Sequence, residues 1–282
     1  MENVVLAGVD GSPESRGAAL WAVREAGFRQ WPVWFANVFP SPTIADPSID
    51  SAYLQTAHRD AERLFQGLET EARRLGVSSQ GIALPGRANE VLVKLSNDAG
   101  LTVVGRRHHS AIGARLGSVS SALAAHAHSP TAVIPHGWES RPSSQGTENG
   151  HALSVGRVVV AVEPGPGAMS LLHTAAGFAQ RDGLSLSVVT VAATKHEETY
   201  GSSLTELLTH TKERFIGLEI SVHYVAGKPV PEIAHAAGDA VLLVVGTRGF
   251  GGLSGWMHGS VSQALLQHIS LPMLVVPNRA PE

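Results

Sequence analysis

One block of this chain occurs twice. Gly117-Ser118-Val119-Ser120-Ser121-Ala122-Leu123 has a counterpart in Gly259-Ser260-Val261-Ser262-Gln263-Ala264-Leu265, and each leads through a histidine (His126, His268) toward a proline and a valine-rich run. The likeness extends upstream, where Val4-Val5-Leu6-Ala7-Gly8-Val9 ends in Asp10 and Val158-Val159-Val160-Ala161-Val162 ends in Glu163. A repeat this long is a whole domain and not a solenoid unit, and 282 residues is about twice the commonest domain size. The expected organisation is therefore a tandem pair, residues 1–137 and 155–282. Residues 138–154, rich in Ser, Gly, Glu and Asn with few apolar side chains, read as an exposed linker.

Within each copy, short apolar runs alternate with segments of helical period. In the first, strands are expected at Val4 to Asp10, Val33 to Phe39, Gln80 to Leu84, Leu101 to Gly105 and Thr131 to Ile134. Helices fall between them, and prolines 40, 42 and 47 mark a loop before the long helix from Leu54 to Leu75. The second copy repeats the order through Val158 to Val162, Leu184 to Val191, Leu218 to Val225, Val241 to Val245 and Met273 to Val276. Such alternation implies an α/β fold, with parallel strands covered by helices on both faces and right-handed crossovers. Ligands of such sheets sit beyond the carboxyl ends of the strands, where the strand order reverses.

Chemistry concentrates at those ends. The run Val241 to Val245 passes into Gly246-Thr247-Arg248-Gly249-Phe250-Gly251-Gly252, and a helix follows from Val261. With Ser260 at the expected N-cap, the amides of Val261, Ser262 and Gln263 lack intrahelical acceptors, and the helix start becomes an anion site suited to phosphate. The corresponding residues of the first copy are Gly105, Gly117, Ser118, Val119 and Ser120. The terminal acids, Asp10 and Glu163, suit ribose hydroxyls or an adenine amine, because an ionised carboxylate only accepts hydrogen bonds.

The spacing Gly246, two residues, Gly249, nine residues, Gly259-Ser260 resembles the phosphate- and ribose-binding signature of the universal stress protein family. The resemblance implies two Rossmann-like open sheets with five parallel strands in the order 3-2-1-4-5, and ATP, with or without Mg2+, as the bound cofactor. It implies a regulatory role in stress response. It brings Val9 and Val162 beside the acids and sets the ends of the second strands, at Val38 and Val191, against adenine. It further implies that the fifth strands pair the two halves within the chain, with a homodimer beyond that. The departures are specific. Glu163 is one methylene longer than the usual aspartate and is followed by Pro164. The first loop, Gly105-Arg106-Arg107-His108, is shorter and has a histidine where a glycine is usual, with Arg106, Arg107 and Arg115 as compensating phosphate partners. These departures favour an alternative in which the fold persists as a nucleotide-free pairing module.

Other classes are set aside. A net charge of -3 without clustered Lys or Arg argues against nucleic acid. Without cysteine there is no disulfide or thiolate chemistry. The chain opens directly on a strand, and no apolar run nears the ~18 residues of a membrane span, so a cytoplasmic protein is expected. Fourteen histidines include His108-His109 and His126-x-His128, but neither pair has the company of a metal motif. No nucleophile with a base emerges, so no catalytic residue is assigned, and ATP hydrolysis is expected to be weak at most.

Overall fold

The structure, a computed structural model, describes residues 3–42, 47–106, 117–138, 145–148, 151–154, 156–192, 197–247 and 260–278. The chain divides into two compact units, residues 1–139 and 140–282. In the first, β1 (Val5–Gly8), α1 (Pro13–Arg29), β2 (Val33–Phe39), α2 (Pro47–Arg74) and β3 (Ser79–Pro85) are followed by α3 (Ala88–Leu95), β4 (Leu101–Arg106), α4 (Ser118–His126) and β5 (Thr131–Pro135). All pairings are parallel, and the strand order is β3-β2-β1-β4-β5. The central strand is the most apolar, and Val5, Leu6 and Ala7 are completely buried. Its register places Val5 between Val33 and Leu101, and Ala7 between Phe35 and Val103. Helix α1 packs close to β1 and β4 because the face it buries is made of small residues, Ala18, Ala19, Ala22, Val23 and Ala26.

The second unit opens with β6 (Gln145–Glu148) and β7 (His151–Ser154), an antiparallel pair in the stretch expected to be an exposed linker. Their sequence separation is the dipeptide Asn149-Gly150, a pairing that favours two-residue hairpin turns and outweighs the polar composition. A second difference concerns Pro47. It was expected in a loop but is the first residue of α2, a position where its missing N–H costs no hydrogen bond.

The second half repeats the plan with β8 (Arg157–Ala161), α5 (Ala168–Arg181), β9 (Ser185–Ala192), α6 (Glu197–Arg214) and β10 (Ile220–Ala226), then α7 (Pro229–Ala236), β11 (Leu242–Gly246), α8 (Ser260–His268) and β12 (Met273–Val276). These strands too are all parallel, in the order β10-β9-β8-β11-β12. Both halves therefore have the 3-2-1-4-5 order. Among the described residues, no helix is long and apolar enough to cross a membrane.

The contact between α5 and α6 includes a titratable group. The His173 ring meets Phe215 edge to face at 5.6 Å, and burial first, then the charges of Arg214 and His210, pushes its pKa below the ordinary imidazole range. The folded state thus takes up a proton less readily than the unfolded chain. The stability tied to neutral His173 is present above about pH 6.5 and is lost as pH falls through the depressed native value. Thermal melts between pH 7.5 and 5 should show wild type losing more stability on acidification than His173→Leu.

Candidate functional site

The site in the first half grows out of the tip of β1. Residues 4 to 9 are buried without interruption, and Asp10 is the first exposed one. Val9 N–H still bonds to Ala36 O at 2.9 Å, and then the chain turns through Gly11, whose φ of +82° suits glycine. Asp10 Oδ1 accepts from the Ser12 N–H at 3.0 Å and from Ser12 Oγ at 2.5 Å, which closes an Asx turn. Ser12 is the N-cap of α1, and its hydroxyl accepts from Ser15 N–H at 3.2 Å. Ser15 Oγ donates to Ser12 O at 3.0 Å and accepts from Asp10 N–H at 3.2 Å. The acid and the helix start are thus one hydrogen-bonded unit.

Opposite stands the start of α4, and here the expectation about the cap needs correcting. The N-cap is Gly117, with extended backbone (φ -61°, ψ 150°) and no side-chain cap, while Ser118 is the first helical residue. Ser121 N–H makes the first bond of the helix, to Gly117 O at 3.0 Å, and Ser120 Oγ donates to the same carbonyl at 3.1 Å. The first-turn amides of Ser118, Val119 and Ser120 have no intrahelical acceptor. In the second half Ser260, expected to be the cap, is itself a residue of α8. Glycine is an acceptable N-cap, and it brings no side-chain oxygen to compete for those amides.

These elements enclose a cavity of about 310 Å³. Val9, Asp10, Val38 and Gly105 line it from the strand ends, and Gly117, Ser118, Val119 and Ser120 from the helix start, so all eight expected residues of this half meet there. Sequence reasoning missed Ser12, Glu14 and Ser15, which line it from the first turn of α1. Their signal was available in Asp10-x-Ser12-x-x-Ser15, an acid, a cap and a hydroxyl at the third helical position. Glu14 Oε1 lies 3.7 Å from His136 Nδ1, just past β5. Arg106 ends β4 without lining the cavity, and burial pushes its pKa below the ordinary arginine range. Arg107, His108 and Arg115 lie outside the described residues.

In the second half, Val162 and Glu163 follow β8, Val191 is the penultimate residue of β9, and Gly246 ends β11. Val162 N–H bonds to Val189 O at 2.9 Å, matching the bond from Val9 to Ala36. Glu163 is half-buried, Ser262 is buried, and Ser260 and Val261 open α8; Gly249 and Gly259 lie outside the described residues. The turn after the acid differs. Where the first half has Ser12, Glu14 and Ser15, the second has Gly165, Gly167 and Ala168. Helix α5 starts at Ala168 with Gly167 as N-cap at φ +86°, and a Cβ on Gly167 would stand 1.8 Å from Asn278 Oδ1. Among the described residues no group of three His, Asp or Glu forms a metal-binding cluster.

The universal stress protein family model matches residues 1–135 and again residues 154–277. The chain belongs to the universal stress protein family. Universal stress protein Rv1996 of Mycobacterium tuberculosis is 28% identical, over 96% of this chain and 94% of its own length. Universal stress protein Rv2005c of the same organism is 29% identical over 96% of each. A crystal structure of a universal stress protein from Archaeoglobus fulgidus shares the fold, with TM-score 0.76, 19% identity and coverage of 98% of this chain and 99% of that one. A putative universal stress protein from Pseudomonas aeruginosa aligns with TM-score 0.64 and 18% identity over 98% of this chain and 93% of its own.

In this universal stress protein the glycine at the end of β4 answers first to packing. A Cβ on Gly105 would stand 2.6 Å from the carbonyl carbon and oxygen of Glu14 and 2.9 Å from Ser15 N, all backbone atoms of α1. A Cβ on Gly8 would meet only the side-chain ends of Val104 and Leu92, at 3.0 and 3.1 Å. Gly105→Ala should therefore lower stability by about 1–3 kcal/mol, and Gly8→Ala by less, as read from urea midpoints at unchanged m-value.

Proposed function

We propose that the chain binds an adenine nucleotide, ATP with or without Mg2+, at the carboxyl ends of its strands, and acts as a regulatory module in stress response. The observation that carries this is the single cavity that joins Asp10 at one end to the amides at the start of α4 at the other. A carboxylate for nucleoside hydroxyls or the adenine amine and a helix start for phosphates are the two ends of a nucleotide site. Val9 and Val38 supply apolar wall for the base. In the second half, Val162, Glu163, Val191, Gly246, Gly249 and Gly259 to Ser262 are the corresponding set.

A second reading is favoured for that half. Gly165 and Ala168 offer none of the hydroxyls that tie Asp10 to α1, and in that alternative reading the half pairs without nucleotide. Each fifth strand pairs within its own half, β5 with β4 and β12 with β11, and an apolar strand at the end of a half-sheet is a template for a further strand. Pairing of the halves through these strands, a homodimer beyond it and a cytoplasmic setting complete the proposal, with hydrolysis at most slow.

Chromatography of the supernatant after denaturing the purified protein should reveal adenine nucleotide, and calorimetry should reveal ATP binding. Gly117→Val is the sharper probe. Among the described residues a Cβ there meets only Ser120 Oγ, at an ordinary 3.6 Å, so that packing tolerates it, while its methyls shield the helix start. ATP affinity should fall by about tenfold, the scale of one charge-assisted contact, with adenosine affinity nearly unchanged. Equal ATP binding by the variant would remove α4 from the site.

A further inference from the structure

One peptide unit at the tip of the central strand, Val9–Asp10, is held at both polar ends. Its carbonyl accepts from Asn37 Nδ2 at 2.8 Å, and its N–H donates to Ser15 Oγ at 3.2 Å. Asn37 reaches across from β2 just beyond the last ladder pair, Gly8 with Ala36, and its side chain does not line the cavity. The second half reaches the same result with different chemistry. Thr190 Oγ1, from the corresponding position of β9, donates to Val162 O at 2.6 Å. A carboxamide and a hydroxyl have little in common beyond a donor at that point, so the donor is the shared element.

We infer that Asn37 and Thr190 are positioning residues for the nucleotide sites: each fixes the carbonyl of the peptide that precedes the acid and so sets the direction in which Asp10 or Glu163 meets its ligand. The inference rests on the nucleotide reading above. Rotation about that peptide swings the Cα–Cβ bond of the next residue, and a carboxylate turned away from a ribose hydroxyl no longer accepts from it within hydrogen-bonding range. Residues that hold a binding group without touching the ligand commonly change affinity by about 10- to 100-fold in metal sites.

Two variants of the full chain test this. Asn37→Val with Thr190→Val removes both donors, and at position 190 it preserves the side-chain shape. Asn37→Thr gives the first half the solution used by the second. By calorimetry, well below each variant's Tm, the double variant should bind adenosine and ATP about tenfold more weakly, the lower end of that range, and both alike, because the acid acts at the nucleoside end. Asn37→Thr should restore wild-type affinity. If the double variant does not fold, Asn37→Val alone carries the comparison. Wild-type binding by the donor-free variant overturns the inference, as does a loss confined to ATP, or an Asn37→Thr protein that melts like wild type yet binds as weakly as the valine variant. A wild-type chain that takes up neither ligand overturns the nucleotide reading itself, and the inference falls with it.

Discussion

The parallel ladder that β1 makes on both sides, to β2 and to β4, is the constraint from which the rest follows. Paired at both edges and covered on both faces, β1 is apolar until its ladder stops. Burial from Val4 to Val9 ends at Asp10, and burial from Val158 to Val162 ends at Glu163. The crossovers from β1 to β2 and from β3 to β4 then leave to opposite sides, and a crevice opens at the carboxyl end between the two neighbours of the reversal. The acid is at that crevice because it is the first residue that the sheet no longer buries.

This logic explains which parts could be read from sequence. Strands buried on both faces are runs of apolar residues, so Val4 to Val9 and Val158 to Val162 stood out, and the duplication supplied the topology twice. Features decided by backbone geometry were harder. Serine is a favourable N-cap, so Ser260 looked like one, yet it is already a residue of α8, and in the first half Gly117 takes the cap and leaves Ser118 inside the helix. Pro47 reads as a loop residue unless the helix is known to begin there. Asn149-Gly150 was a legible turn signal, obscured by the polar composition around it.

The candidate site was half legible for a related reason. Residues on strand ends and on the α4 start announce themselves by glycine and by sudden polarity. For the wall contributed by α1, the spacing of Ser12 and Ser15 signals a turn and a cap but not that they border the cavity, because that is brought about by packing. Glu14 and Ser15 border the cavity since the backbone of the first α1 turn sits directly on Gly105, closer than any Cβ would allow. A sequence shows that glycine but not what presses against it. At Gly105 the space that a side chain would take is given to a helix.

The two halves separate what the fold requires from what a ligand requires. Both hold the carbonyl before the acid by a donor from the second strand, Asn37 in one and Thr190 in the other, and both bond the same amide to that strand. Only the first half continues into a network of Asp10, Ser12 and Ser15, because only there do the residues after the acid carry hydroxyls. In the second, the helix starts later, at Ala168, and Asn278 Oδ1 occupies the space into which a side chain at Gly167 would project. A strand tip fixed in this way is common to both halves. The turn that follows it is where one half of a duplicated chain can alter its ligand without disturbing the sheet.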